Sequence, residues 1–145
     1  MAETVEPELE YELSLPDNGC FGCSPTRADG LRIAFRRRGD RVVSRHTIPA
    51  AYHGPPGTAH GGIVATLFDE ICCAAAAAES GWFVVTGELT VRYERPVPVD
   101  TALDWEARVT DGTHPRYFVV EATVRTGGEQ LARATARIFR HRTSE

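Results

Sequence analysis

Apolar and polar residues alternate along six segments of the chain, and this alternation predicts β-strands with one buried face. Two short segments come before a long apolar run, and four longer segments follow it. The six predicted strands are 31–35, 41–48, 82–97, 102–110, 115–126 and 129–141. Turn-forming residues separate the first pair at 36–40 and the last pair at Gly127-Gly128, so we predict a largely antiparallel sheet. Gly87, inside the third segment, predicts a bulge or a bend.

The apolar run between the two groups of strands predicts one long helix over residues 61–79. Its five consecutive alanines favour helix strongly, and Gly81 predicts its end because glycine is typical just past the last helical turn. The last strand leaves room for this helix, since one of its faces carries Ala132, Ala134 and Ala136. We therefore predict an α+β fold class, with one long central helix wrapped by a curved sheet of about six strands.

The predicted helix lacks the charged face that a solvent-exposed helix normally carries. At 100° per residue, its large apolar side chains form one broad stripe that should lie on the sheet. The stripe consists of Ile63, Val64, Leu67, Phe68 and Ile71. The opposite face carries Asp69 among small residues, namely Ala65, Thr66, Cys73 and Ala76. Because one sheet covers only one side of a helix, we expect the other side to meet a partner subunit.

Two adjacent carboxylates, Asp69 and Glu70, are the only charges in the first dozen residues of this helix. Asp69 is two turns from the helix start, where the helix dipole no longer stabilises a carboxylate. On a small, apolar face it is paired, lies at the rim of an interface, or is functional. Glu70 falls at the edge of the apolar stripe, which favours an ordinary flanking residue, although it is also a candidate for substrate contact.

His60-Gly61-Gly62 begins the predicted helix, where the first backbone N–H groups have no helical acceptor. Glycines allow a ligand to approach these donors, and the positive end of the helix dipole favours an oxyanion or a polarised carbonyl. A structural turn explains the tripeptide equally well when it is taken alone. An aspartate at a fixed distance downstream strengthens the functional interpretation.

Length and charge exclude several function classes. The chain has 145 residues, enough for one core, and we divide it into an acidic arm at 1–18, expected to be loose or a short helix, and a single domain at 19–145. The net charge of −4, with no basic stretch among stacking aromatics, argues against nucleic-acid binding. The first residues are acidic, unlike a signal peptide, and the uncharged part of the helix is too short for a membrane span. We expect a cytoplasmic protein.

Four cysteines occur as two close pairs. Cys20 and Cys23 have the spacing of a metal knuckle, but no second matching pair supplies the four ligands that zinc normally takes. Cys72 and Cys73 are neighbours on the helix, so their side chains diverge. A structural turn with reduced thiols is the favoured interpretation of the first pair. A zinc site and a redox pair remain as alternatives, and no metal is assigned.

The motif HGGIVATLFDE, at 60–70, resembles the signature of hotdog-fold acyl-CoA thioesterases, in the branch that includes phenylacetate-pathway enzymes. The longer stretch GPPGTAHGG, at 54–62, is similar to the subgroup containing the mammalian carboxyl-terminal modulator protein. CFGC and DGLRI near the start, and LTVRYERPVP at 89–98, resemble the same subgroup. The resemblance covers nearly the whole chain, and the order of the motifs is more specific than any one of them.

This resemblance implies a hotdog fold, homodimers whose sheets join edge to edge and pair further into tetramers, and active sites at the dimer interface. Asp69 would be the general base or the nucleophile, and the Gly61 backbone N–H would supply the oxyanion hole. His60 would orient the thioester, with Gly62 beside it. Thr86, ten residues before Pro96, would hold the attacking water and is expected from the other subunit.

One position departs from the family pattern. Many relatives have Asn or Gln six residues before the motif histidine, where this chain has Gly54, preceded by His53. Because of this departure, the side chain that would polarise the carbonyl is not identified. His53 is a candidate substitute. For the phosphates of coenzyme A, Arg92 and Arg95 are the candidates, because all 16 basic residues are arginines and arginine binds phosphate in bidentate fashion.

The leading functional hypothesis is hydrolysis of an acyl-CoA or a related acyl thioester, without a cofactor. The alternative is a non-catalytic protein of the same fold that binds acyl thioesters or has a regulatory role. A dehydratase is disfavoured, since the histidine and acid pair that it needs is not evident. The expected partners are the acyl-CoA substrate and other copies of the chain, without nucleic acid or membrane.

Overall fold

The computed structural model describes residues 10–13, 16–81 and 83–141. Seven antiparallel strands form one sheet, in the order β1-β2-β3-β5-β6-β7-β4. One long helix, α1, connects β3 to β4 after a single short 3-10 turn at Ala50–Tyr52. The elements are β1 Glu10–Glu12, β2 Arg36–Arg38, β3 Arg41–Thr47, α1 Gly61–Ser80, β4 Val84–Tyr93, β5 Ala102–Asp111, β6 Tyr117–Thr126 and β7 Glu129–Arg140.

The predicted α+β class is confirmed, because α1 packs across the middle of the sheet against β3 to β7. Its predicted apolar stripe is buried, with Phe68 fully covered and stacked edge-on against Trp105 of β5 at 5.2 Å. The small residues of β7 lie under the helix as expected, and Ala132 and Ala136 are almost completely buried. Small side chains on the sheet therefore allow the helix to approach closely.

The predicted helix boundaries are confirmed to within one residue. His60 is the N-cap, and its imidazole accepts a hydrogen bond from the backbone N–H of Gly62. Gly81 ends the helix in the left-handed conformation, with φ of 69°, and its N–H donates to the Ala77 carbonyl. Glycine adopts this conformation without the steric cost that other residues incur.

The first predicted hairpin is displaced along the chain. Leu31, Ile33 and Phe35 are buried as their alternation indicates, but they do not belong to a strand. The N–H of Leu31 and the N–H of Ile33 donate to carbonyls in the loop at 20–23 instead of to a neighbouring strand. The paired strand is β2, and the turn that follows it is the short Gly39-Asp40.

The seventh strand comes from the acidic arm, which we predicted to be loose or a short helix. That prediction is wrong over 10–12, since β1 pairs with β2. Glu10 forms ion pairs with Arg36 at 2.7 Å and Arg38 at 3.4 Å, so charge helps to hold β1 on the sheet. The parts of the predicted arm at 1–9 and 14–15 lie outside the described residues.

The two glycine predictions in the later strands are confirmed. The pairing of β4 with β7 shifts at Gly87, where any side chain would overlap the ring of Phe139. The turn between β6 and β7 has positive φ at both Gly127 and Gly128, as a tight hairpin requires. The bulge alters which residues of β4 face the helix.

Among the described residues, α1 is the one helix long and apolar enough to cross a bilayer by length and composition, with a mean hydropathy of 1.5. The sequence prediction of no membrane span considered only the uncharged part of this helix. The whole helix, with Asp69 and Glu70 included, is still long and apolar enough by this criterion. Here the apolar stripe of α1 is covered by the sheet, as in the core helix of a globular domain.

Candidate active site

The loop before α1 is fastened on both sides, and this fixes where the helix begins. Within the loop, the N–H of Thr58 donates to the Pro55 carbonyl, which closes a turn through Gly57. The N–H of Ala59 donates to the Val97 carbonyl at 2.7 Å. The N–H of His60 then donates to Tyr52, at the end of the 3-10 turn. The prolines and glycines of the motif thus build a rigid entry to the helix.

The backbone donors at the helix start are used unequally. The N–H of Gly62 donates to His60 Nδ1 at 3.0 Å, and the N–H groups of Ile63 and Val64 both reach the His60 carbonyl. Within the described part of the chain, the exposed Gly61 N–H has no acceptor. The first turn of α1 therefore offers a ligand one ready donor, at Gly61. Gly62 would have to release His60 before it could serve.

His60 is oriented by the same contact. Because Nδ1 accepts a hydrogen bond from Gly62, a neutral His60 carries its proton on Nε2. The imidazole is exposed and belongs to the helix N-cap, next to the free Gly61 N–H. It can donate to a ligand from Nε2 while Gly62 holds the ring in place.

Tyr93 is a residue at the helix start that the sequence analysis missed. Its hydroxyl donates to the Gly61 carbonyl at 2.6 Å, from the far end of β4. Desolvation raises the pKa of this phenol, so it stays protonated and donates. The alternation of β4 carried the signal, because Leu89, Val91 and Tyr93 share the face that packs towards α1.

Asp69 of α1 and Thr86 near the start of β4 meet at the edge of the sheet. The Thr86 hydroxyl donates to Asp69 Oδ1, and Cys73 Sγ lies 3.1 Å from the same hydroxyl oxygen. Since the single hydroxyl hydrogen points to Asp69, the Cys73 thiol is the donor to Thr86. Burial raises the pKa of Cys73 to about 12, with a further contribution from the Asp69 charge, so this thiol remains protonated. The three side chains form a chain of hydrogen bonds ending at the carboxylate.

Thr86 and Asp69 belong to the same chain. This contact replaces the expectation that Thr86 comes from the other subunit. The physical reason is that β4 begins only four residues after α1 ends, and so returns alongside the helix. The bulge at Gly87 follows directly and lets Thr86 face α1 although the later inward residues are odd-numbered.

The two halves of the predicted site are far apart within one chain. Gly61 and Asp69 are eight residues apart on a straight helix, which is about 12 Å along its axis. A carbonyl oxygen bound at Gly61 would lie about 3 Å from that N–H. Asp69 of the same chain therefore does not reach its carbonyl carbon, contrary to the simplest interpretation of the motif.

Glu70 turns away from Thr86 towards the loop at 20–23. Its Oε1 lies 3.3 Å from Cys20 Sγ, and Gly22 packs directly on its side chain. Burial raises the pKa of this carboxyl. Burial, the contact with Cys20 and the Glu70 charge raise the pKa of the Cys23 thiol to about 12. Glu70 is thus not a simple flanking residue. It contacts the loop at 20–23 and does not join the hydrogen-bonded group formed by Asp69, Thr86 and Cys73.

Gly54, where the chain departs from the family pattern, packs closely on the helix entry. The backbone of Gly54 lies against His60, and a Cβ at this position would come within 3.2 Å of the His60 Cα. A larger residue would push on the helix entry. His53 is exposed, and its Nδ1 is 2.9 Å from the Gly54 carbonyl, so this nitrogen is engaged within the loop.

The candidate arginines lie away from α1 within one chain. Arg92 is opposite Arg133 in the strand register and lines a groove of about 520 Å³ on the outer face of the sheet. Arg95 forms an exposed ion pair with Glu129 at 3.3 Å. Neither side chain lies beside the Gly61 N–H or the Asp69 carboxylate.

Comparisons with known proteins agree with this architecture. The family model described as thioesterase superfamily matches residues 56–133, which include the helix entry, Asp69, Thr86 and Tyr93. A crystal structure of the thioesterase superfamily protein RHA08564 superposes with a TM-score of 0.74 at 26% identity, covering 83% of this chain and 59% of that one. The chain therefore spans somewhat less than two thirds of that protein.

Two further structures share the fold. A phenylacetic acid degradation-related protein from Ralstonia eutropha JMP134 has a TM-score of 0.68 at 22% identity, covering 75% of this chain and 85% of its own. The protein smu.793 from Streptococcus mutans UA159, whose structure contains bound acetyl CoA, has a TM-score of 0.65 at 23% identity, covering 70% and 82%. Since the family model spans more than half of the sequence, the chain belongs to the thioesterase superfamily, with its hotdog fold.

Proposed function

We propose that this protein hydrolyses acyl-CoA thioesters to the free acid and coenzyme A. The observation that carries the proposal is the pairing of Asp69 with the Thr86 hydroxyl on an otherwise small, apolar helix face. A carboxylate in this setting has one oxygen held and the other available for chemistry. Membership of the thioesterase superfamily supports a thioester as the substrate.

The reaction needs a donor for the carbonyl and a group that delivers the nucleophile. The thioester oxygen would accept a hydrogen bond from the Gly61 N–H, which stabilises the negative charge that develops there. Asp69 would take a proton from a water as the water oxygen attacks the carbonyl carbon, or would attack the carbon itself. Collapse breaks the carbon–sulfur bond, and the departing thiolate takes up a proton. Where Asp69 is the nucleophile, a water then hydrolyses the acyl-aspartyl anhydride to the free acid and restores the carboxylate.

The 12 Å estimate supports an active site built from two protomers, with Gly61 of one and Asp69 of the other. A dimer is further supported by β4, an edge strand of the sheet with exposed apolar side chains. Phe83 is 58% exposed just before β4, and Val85 is 42% exposed within it. Edge strands of this kind favour pairing with another chain. Pairing of two such dimers into a tetramer stays a prediction.

Coenzyme A as the carrier is supported by the acetyl CoA found in the Streptococcus mutans structure of the same fold. Its phosphates need cationic partners, and Arg92 and Arg95 stay predictions for that role. A cytoplasmic location is proposed as well. It is compatible with four free cysteines, since thiols persist in reducing compartments.

Release of coenzyme A from a panel of aryl-, medium- and long-chain acyl-CoAs, followed with a thiol reagent, tests the proposal. We expect turnover of at least one class, and a loss of about 10²–10⁴-fold in kcat for Asp69→Asn, because the amide cannot accept the proton. Glu79→Gln is the matched control, since it neutralises an exposed carboxylate on the same helix. Binding of acyl-CoA without turnover would instead favour the non-catalytic alternative.

A further inference from the structure

Three potential metal ligands converge where the loop at 20–23 meets α1. The Sγ atoms of Cys20 and Cys23 and a carboxylate oxygen of Glu70 all lie within 4.8 Å of one another. Cys20 Sγ and Glu70 Oε1 are 3.3 Å apart. In a tetrahedral zinc site, with Zn–S of about 2.3 Å and Zn–O of about 2.1 Å, neighbouring ligands are roughly 3.5–3.8 Å apart. The distance from Cys20 Sγ to Glu70 Oε1 is close to that range, and the two distances to Cys23 Sγ need shorten by at most about 1 Å to reach it.

The loop that carries the two cysteines is held in place by its backbone. The N–H of Ser24 donates to the Cys20 carbonyl at 3.0 Å, which closes the turn. The N–H of Ile33 donates to the Gly22 carbonyl at 2.9 Å, which ties the turn to the next segment. Both thiols are therefore presented by a turn of fixed shape.

A second clamp holds the two sides of this loop. The Asp17 carboxylate accepts hydrogen bonds from the hydroxyls of Thr26 and Ser24, at 2.6 and 2.7 Å. The Arg27 guanidinium donates to Asp29 and to the Gly19 carbonyl. The Arg27 side chain is thus engaged with the loop itself.

Gly22 fits the loop to the glutamate. Its backbone lies so close to Glu70 that any side chain at position 22 would overlap the glutamate side chain. Glycine at position 22 therefore leaves room for the Glu70 side chain beside the two cysteines. This close packing brings the CFGC turn and Glu70 together into one constellation.

The partners of Glu70 point to a cation. Within the described chain, its side chain has no arginine partner and contacts thiols. Two sulfur atoms and one carboxylate oxygen thus share one partly buried volume, and together they are a ligand set that suits a divalent cation. Two sulfur ligands select zinc over the hard cations calcium and magnesium, which prefer oxygen.

We propose that Cys20, Cys23 and Glu70 bind one zinc ion, which fastens the N-terminal loop to the helix that carries Asp69. The three protein ligands leave the fourth tetrahedral position to water. The ion would hold the loop at 20–23 to α1 through Glu70, and no step of the proposed hydrolysis is assigned to it. The proposal does not depend on what the active site hydrolyses.

Zinc content and cobalt spectra test this site directly on the full chain. Reduced, chelator-treated protein is loaded with Zn²⁺, desalted and analysed for metal, and we expect about one zinc per chain. Loading with Co²⁺ should give the near-ultraviolet sulfur-to-cobalt band and the visible bands of a tetrahedral thiolate site. Bound zinc should raise Tm by about 10 °C at saturating metal.

Variants then assign the ligands. The double variant Cys20→Ser, Cys23→Ser should lose zinc, the cobalt spectrum and the rise in Tm. Glu70→Gln should weaken zinc by at least about 10- to 100-fold, the loss that even an outer-shell partner causes. Cys72→Ala is the matched control and should keep full stoichiometry, since Cys72 lies in the core.

Three results would overturn the proposal. The first is wild-type protein that takes up no zinc above background under reducing conditions. The second is equal zinc in the double serine variant and the wild type. The third is a Cys20–Cys23 disulfide that forms reversibly while the reduced protein ignores zinc, which would assign a redox pair. If the double variant does not fold, wild-type stoichiometry and Glu70→Gln still decide.

Discussion

The start of α1 and its middle are two differently equipped regions. At the start, the Gly61 N–H is a free donor, with His60 and Tyr93 fixing the backbone around it, and among the described residues no carboxylate is hydrogen-bonded there. In the middle, Asp69 and Thr86 provide a carboxylate and the hydroxyl that holds it. The start of α1 supplies the donor and its middle supplies the carboxylate, so one chain carries two half-sites. We therefore expect a dimer to be the catalytic unit.

Among changes in the first region, removing the Gly61 N–H should lower kcat the most. Gly61→Pro deletes the N–H at the first helical position, where proline is well tolerated. His60, with φ of −58° and ψ of 133°, already has the extended conformation that a residue before proline requires. We expect kcat to fall about 10²–10³-fold, as when an oxyanion donor is removed.

Gly61→Ala separates this loss from a steric effect. Alanine keeps the N–H, and its Cβ would make only ordinary contacts of 3.6 Å or more with Tyr93. Its kcat should stay within about tenfold of the wild type, well above that of the proline variant. If Gly61→Pro were as active as the wild type, the Gly61 N–H would not be the donor to the thioester carbonyl.

In the second region, Thr86→Val deletes the hydroxyl and keeps the shape of the side chain. A hydrogen bond to a charged group contributes about 1.5–3 kcal/mol, so kcat should fall roughly 10- to 100-fold. Thr86→Ser, which retains the hydroxyl, is the control and should recover most of the rate. Wild-type kinetics for the valine variant would show that Asp69 does not need this partner.

Tyr93→Phe should have the smallest effect, because Tyr93 acts through the Gly61 backbone. Loss of the hydrogen bond to the Gly61 carbonyl should lower the free energy of unfolding by about 0.5–1.5 kcal/mol in urea titrations. Tyr117→Phe is the matched control, since the structure gives that hydroxyl no hydrogen bond within the described residues. Equal free energies of unfolding for Tyr93→Phe and Tyr117→Phe would show that the Tyr93 hydrogen bond does not stabilise the fold.

Much of the fold could be predicted from sequence because it follows from local periodicity. The helix bounds, the bulge at Gly87 and the four later strands depend on alternation and glycine placement. They agree with the structure, except that the strand predicted at 82–97 is the shorter Val84–Tyr93. The segment 31–35 was misplaced because its hydrogen-bond partners are loop carbonyls distant in sequence. Alternation reports burial, and it does not identify the partner of each N–H group.

The candidate site was predictable only in part. The helical wheel separated Asp69 from Glu70 correctly, as their different contacts show. It could not reveal what each carboxylate meets, because Thr86 and Cys20 come from other elements. The alternation of β4 puts Tyr93 on the face towards α1, but it does not identify the Gly61 carbonyl as the partner of the hydroxyl, so Tyr93 was missed.

Mixing two inactive variants tests the two-protomer site most directly. Gly61→Pro chains lack the donor and Asp69→Asn chains lack the carboxylate, and the two are unfolded and refolded together or co-expressed. If Gly61 of one protomer works with Asp69 of the other, each mixed dimer has one intact site, and activity should return to about a quarter of the wild-type level. Activity no higher than that of the separate variants, in verified mixed dimers, would contradict the account.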